Sequence, residues 1–122
     1  MTNKIIIDLD NTLSFSEEKD YDNAKPNINL INQIELYKKN NFQIVIFTSR
    51  NMNTYNSNTN LIKKNTYPKI VKWLKKHNIF YDELIIGKPW CGVDGFYVDD
   101  RAIRPDEFVN LNPKEIDLLL KK

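Results

Sequence analysis

Three short apolar runs, each closing on polar or reactive side chains, constrain this chain more than any other feature. Ile5-Ile6-Ile7 runs into Asp8, Phe42–Phe47 into Thr48, and Leu84-Ile85-Ile86 into Gly87-Lys88-Pro89. Short β-branched runs of this kind read as strands buried on both faces, as in a parallel sheet. A fourth, shorter run, Phe96-Tyr97-Val98, ends on Asp99-Asp100 and reads as one more strand. Between Pro26 and Asn40 apolar residues recur at helical spacing (Leu30, Ile31, Ile34, Tyr37). Pro26 suits the start of that helix and Asn40-Asn41 its end. Pro68 opens a second amphipathic helix carrying Ile70, Val71, Trp73 and Leu74. Asn112-Pro113 caps a third, with Ile116, Leu119 and Leu120 on its apolar face. Strands alternating with helices predict an α/β fold: one Rossmann-like domain over residues 1–122, its mostly parallel sheet flanked by helices.

Bulk properties narrow the class. A chain of 122 residues with 41% hydrophobic and 28% charged residues matches one soluble globular domain with a single core. A net charge of +2 gives neither a basic footprint for nucleic acid nor an acidic one for a basic partner, so no nucleic acid is expected. No apolar stretch approaches the roughly 18 residues of a membrane span, and the polar residues after Met1 do not read as a signal sequence. Cys91 is the single cysteine, which favours a reducing, cytoplasmic setting and reads as a small buried or half-buried thiol.

The chemistry gathers at strand ends. Asp8 with Asp10, Thr48, Lys88, and Asp99 with Asp100 each follow a predicted strand. In open α/β sheets the ligand crevice lies outside the carboxyl ends of the strands, so these residues are expected to converge. Clustered carboxylates repel unless a hard cation compensates them. Mg²⁺ suits such a cluster, since it binds a few carboxylates and leaves positions for water and phosphate. A lysine and a hydroxyl add donors for a transferring phosphoryl group. A carboxylate can then attack phosphorus, and a second one can serve as acid and base.

In this order and context, Asp8-Leu-Asp10-Asn-Thr-Leu13 resembles the first motif of the haloacid dehalogenase superfamily of phosphatases. Thr48-Ser-Arg50 resembles the second motif, Lys88 in Gly87-Lys88-Pro89 the third, and Asp99-Asp100 the fourth. The segments Lys88–Phe96 and Asp99–Phe108 further resemble small phosphatases linked to capsular polysaccharide synthesis. The resemblance implies a Mg²⁺-dependent phosphomonoester hydrolase working through an aspartyl-phosphate. It gives Asp8 the role of nucleophile and metal ligand, and Asp10 that of general acid/base with its carbonyl on the metal. Asn11, Thr48, Ser49 and Lys88 would hold phosphate, and Asp99 would complete the Mg²⁺ shell, with Asp100 beside it either as a further ligand or as a support for one. The implied substrate is a phosphorylated sugar or related small metabolite.

One departure from many relatives is length, which leaves no room for a large cap domain. The acidic stretch 14–25 is expected to act as a flap loop, and the Asn-rich segment 50–66 as an inserted loop near the site; a second copy of the chain is another possible cover. Several alternatives stay open. A nucleotide or nucleic-acid-end phosphatase, or a phosphotransferase, would use the same centre. A phospho-accepting receiver domain is disfavoured by motif order, and a silent binding module by retention of all four motifs. Arg50, Arg101 and Arg104 read either as substrate clamps or as partners of nearby carboxylates. Trp73 reads as a core residue, His77 as a surface or helix-end residue, and Trp90 as packing or pocket wall.

Overall fold

A computed structural model describes residues 3–121. It divides into two compact units, Met1–Trp90 and Cys91–Lys122.

The first unit is built on a three-stranded parallel sheet. β1 (Lys4–Ile7), β4 (Gln43–Thr48) and β5 (Glu83–Ile86) lie in the order β1-β4-β5. Ile7 pairs with Ile46, and Thr48 with Ile86, so the three carboxyl ends finish side by side. β4 is central, and its Ile44, Val45 and Ile46 are all buried. β1 is an edge strand. Its expected burial on both faces does not hold: Ile7 is buried, but Ile6 is 64% exposed.

Helices flank the sheet. α1 (Ile28–Lys39) buries Leu30, Ile34 and Tyr37, and α3 (Tyr67–Lys76) buries Ile70, Trp73 and Leu74, as the spacing predicts. Pro26 does not start α1. It belongs to β3 (Lys25–Pro26), and Asn27 caps the helix by accepting from the Leu30 amide at 3.2 Å. β3 pairs antiparallel with β2 (Ser14–Phe15) around a 3-10 turn at Tyr21–Asn23, so the expected flap loop is a hairpin. The Asn-rich segment also contains an unforeseen helix, α2 (Thr59–Asn65), which is capped by Asn58.

Asparagine does much of the turning here, in a chain with three glycines. Asn11, Asn41, Asn51, Asn56 and Asn78 all have positive φ. Among residues with a side chain, Asn tolerates that region best, because its short amide bonds locally. After α1, Asn41 donates to Lys38 and Phe42 to Tyr37; after α3, Asn78 donates to Lys75 and Ile79 to Leu74. Both sets are Schellman closures with asparagine at the left-handed position.

His77 ends α3 against the Trp73 ring, with centroids 4.7 Å apart. Burial, followed by the neighbouring Lys76 charge, holds its pKa below the ordinary value. The unfolded chain therefore takes up the proton first as pH falls. The stability due to neutral His77 is complete above the unfolded pKa near 6.5 and is lost as pH drops from there toward the folded value. We expect the thermal midpoint to fall more in wild type than in His77→Gln between about pH 7.5 and 5.5. Equal falls would show that His77 is not the group responsible.

The second unit holds α4 (Pro105–Asn110) and α5 (Pro113–Leu120), which bury Phe108 and Ile116. α5 starts as expected: Asn112 accepts from the Glu115 amide at 2.8 Å, and Glu115 accepts from the Asn112 amide. α4 was not anticipated. The strand expected at Phe96–Asp99 is absent, because a strand exists only within a ladder and no ladder takes up this run among the described residues. Phe96 is 79% and Val98 89% exposed.

A candidate active site at the carboxyl ends of the strands

Three of the four expected motifs meet in the first unit. Asp8 follows β1, Thr48 ends β4 and Lys88 follows β5, with the Lys88 amide donating to the Thr48 carbonyl at 3.1 Å. The register of the sheet places these residues together although they are far apart in sequence.

Asp8 is half-buried. Its Oδ2 accepts from the Thr12 hydroxyl at 3.0 Å, and its Oδ1 lies 3.5 Å from the Lys88 ammonium. The turn after β1 brings Thr12 back: the Leu13 and Ser14 amides both donate to the Leu9 carbonyl, and Asn11 takes φ of 62°. The Asn11 amide donates to the Ser14 carbonyl at 2.8 Å, so in this structure it is committed to the turn rather than free for phosphate. Thr48 is buried. Its hydroxyl oxygen accepts from the Arg50 amide at 3.1 Å, which leaves the O–H proton able to donate. Ser49 is half-buried between them.

Asp10 is held differently. Arg50 Nε donates to Oδ2 at 3.1 Å and a terminal guanidinium nitrogen donates to Oδ1 at 2.7 Å, a bidentate pair. The Arg50 side chain is 3% exposed and that of Asp10 24%. Ser14 Oγ adds a long contact to Asp10 Oδ1 at 3.5 Å. Above the guanidinium lies the ring of Tyr21, with its centroid 4.1 Å from Cζ. Burial raises the Tyr21 pKa, the Asp10 charge raises it further, and Arg50 opposes both. Of the two readings of Arg50, the structure shows pairing with a carboxylate.

Each of the two carboxylates thus faces a cation of the protein itself. Asp8 offers hard oxygen donors beside a lysine and a hydroxyl, a set that suits Mg²⁺ with a phosphate. The Asp10 carboxylate is occupied by Arg50, so only its backbone carbonyl fits a metal. Asp99 and Asp100 lie in the second unit, where both are exposed and Asp99 Oδ1 accepts from the Arg101 amide at 2.7 Å. Among the described residues, no group of three or more His, Cys, Asp or Glu side chains forms a metal cage.

Sequence reasoning did not single out Thr12, Ser14 or Tyr21. Thr12 was legible as part of the DxDxT pattern. Nothing in the sequence marks Tyr21, which reaches the site only through the hairpin.

Beside the centre, Met52, Asn53, Asn56, Ser57 and Trp90 line a cavity of about 330 Å³. Trp90, 45% exposed, is two residues from Lys88, and Met52 is two residues from Arg50. Glu17, Glu18 and Asp20 border an open cavity of about 630 Å³ near the hairpin tip. Among the described residues, no helix is long and apolar enough to cross a membrane.

No protein-family model matches the sequence, and no curated protein does either. Among solved structures, the chain resembles two chains from Pnkp1/Rnl/Hen1 complexes, one described as an RNA repair complex. Their identities are 21% and 22%, with TM-scores of 0.53 and 0.54. The matches cover 70% and 89% of this chain but 26% and 34% of those chains, and at this identity they speak to fold alone. A crystal structure of a Vibrio cholerae protein is far more similar, with a TM-score of 0.96 and 48% identity over 98% of both chains. On that identity and coverage, this chain belongs to the same family as the Vibrio cholerae protein.

Proposed function

We propose that the protein is a Mg²⁺-dependent phosphomonoester hydrolase of the haloacid dehalogenase type. The observation that carries this reading is Asp8 at a sheet's carboxyl edge, flanked by Thr12 and Lys88 and next to Asp10 held in a bidentate pair.

An Asp8 oxygen attacks phosphorus, the ester P–O bond breaks, and an aspartyl-phosphate forms. Asp10, which takes up a proton before this step while Arg50 holds it in place, passes that proton to the departing oxygen. Water then attacks the phosphorus of the aspartyl-phosphate, giving its proton to Asp10 and releasing phosphate and free Asp8. The Thr48 hydroxyl and the Lys88 ammonium hold the phosphoryl oxygens, with Ser49 beside them. The Asp8 carboxylate and the Asp10 carbonyl would be the Mg²⁺ donors of the first unit. Bound there, Mg²⁺ would neutralise charge on the phosphate.

For the leaving group we favour a small hydroxylated metabolite such as a sugar. Support comes from the lining of the adjacent cavity: two amides, a hydroxyl, a thioether and an indole, with no Lys or Arg. A nucleic-acid end would bring further phosphates that call for cations.

A panel of sugar, polyol and amino-alcohol phosphates, nucleotides and a 3′-phosphorylated oligonucleotide tests this reading, with and without Mg²⁺. Release from sugar or polyol phosphates, abolished by chelation and restored by Mg²⁺, is the expected result. No release from any ester, or release indifferent to chelator, would overturn it.

A further inference from the structure

Tyr21 and Arg50 form a second layer behind Asp10 to which the reaction as described gives no part. Three observations bear on them. Arg50 spends two N–H groups on the two oxygens of Asp10, which fixes both position and plane of the carboxyl group. Its own side chain is nearly sealed from water, and the Tyr21 ring lies against it at cation–π distance. Tyr21 belongs to the hairpin of β2 and β3, and that hairpin is anchored. The Trp73 indole N–H donates to the Ala24 carbonyl at 2.9 Å, the Asn27 amide donates to the Leu13 carbonyl, and Ser14 of the same hairpin touches Asp10.

We propose that Tyr21 is a positioning residue for the acid/base chemistry of Asp10. The chain of contacts runs from Trp73 through Ala24 and Tyr21 to Arg50, and it ends on the Asp10 carboxyl group. Without the ring, the guanidinium gains room to rotate and can keep one of its two bonds while losing the other. The carboxyl group then no longer points along a single direction. The fixed plane of a bidentate pair is the property at stake, so lysine is not a substitute for Arg50. The hairpin that sequence suggested as a cover for the site is, on this account, a support for one of its working groups.

This role rests on the phosphohydrolase reading, and its test separates the two. An acid aimed at the leaving oxygen matters most for a poor leaving group. Tyr21→Leu should therefore lower kcat/KM, which reports the steps up to departure of the alcohol and not the later attack of water, about tenfold more for an alkyl phosphate than for p-nitrophenyl phosphate. Tyr21→Phe keeps the ring and should restore both substrates. Arg50→Lys keeps the charge and should reproduce the unequal loss, which provides a second variant if Tyr21→Leu folds poorly. The Arg50 Nε–H resonance, read by NMR in protein without metal or substrate, should be sharp and slow to exchange in wild type and Tyr21→Phe. It should broaden in Tyr21→Leu. Equal losses on both esters, no loss in Tyr21→Leu, or an unchanged Arg50 signal would each overturn the positioning role while leaving the enzyme reading intact. A wild type that hydrolyses neither ester would overturn the enzyme reading, and this role with it.

Discussion

Asp8→Asn is expected to lower phosphate release by about a thousandfold or more, since an amide cannot serve as the attacking carboxylate. The fold should survive the change. The Asn carbonyl oxygen can still accept from Thr12, and the Asp8–Lys88 contact it weakens is long and partly exposed, at 3.5 Å with side chains 35% and 20% exposed. Such a pair contributes at most about 1 kcal/mol. A thermal midpoint close to wild type, together with lost turnover, therefore separates chemistry from stability. Near-normal turnover in Asp8→Asn would show that another group is the nucleophile.

Asp10→Ala is expected to carry the largest stability cost among the site residues, about 2–4 kcal/mol. The reason lies in the partner it abandons. Arg50 is nearly fully buried, and its guanidinium makes two charge-assisted bonds to Asp10. Truncating Asp10 leaves that charge in place without its counter-ion, whereas truncating Asp8 leaves a lysine that can move toward water. Removing both members of the pair, as Asp10→Leu with Arg50→Met, should recover a good part of the loss. Urea titrations of the four proteins measure the effect. A cost for Asp10→Ala no greater than for Asp8→Ala would mean that the pair contributes little to the fold.

The two aspartates illustrate how far sequence could be read. Their spacing places both at the end of one strand, and the apolar run before them makes that strand legible. What each carboxylate touches is set by partners far along the chain. Lys88 is 80 residues from Asp8 and Arg50 is 40 residues from Asp10. The first contact follows from strands ending side by side, a general property of parallel sheets. The second depends on the rotamer of one arginine, for which clamping a substrate and pairing with a carboxylate were both readable.

The other departures share a cause. Val98 and Phe96 carry the alternation of a strand, yet a four-residue run gains nothing from strand geometry without a ladder beside it. α2 escaped notice because the apolar face of a seven-residue helix reduces to Ile62 among asparagines and lysines. The 14–26 hairpin escaped because each of its strands has two residues, below any periodic signal. Several asparagines stand where the backbone turns left-handed or where a helix needs a cap, tasks that carry no periodic signal.

Sequence alone determined the three parallel strands, the long helices and the position of Asp8 at a strand's end, since hydrophobic period and β-branching act locally. Tertiary structure decided what surrounds that end: Thr12 and Lys88 on Asp8, Arg50 on Asp10, and Tyr21 behind Arg50. Those contacts come from strand register and the fold-back of a short hairpin, which are set by the packing of the whole unit and leave no periodic trace in the residues that make them.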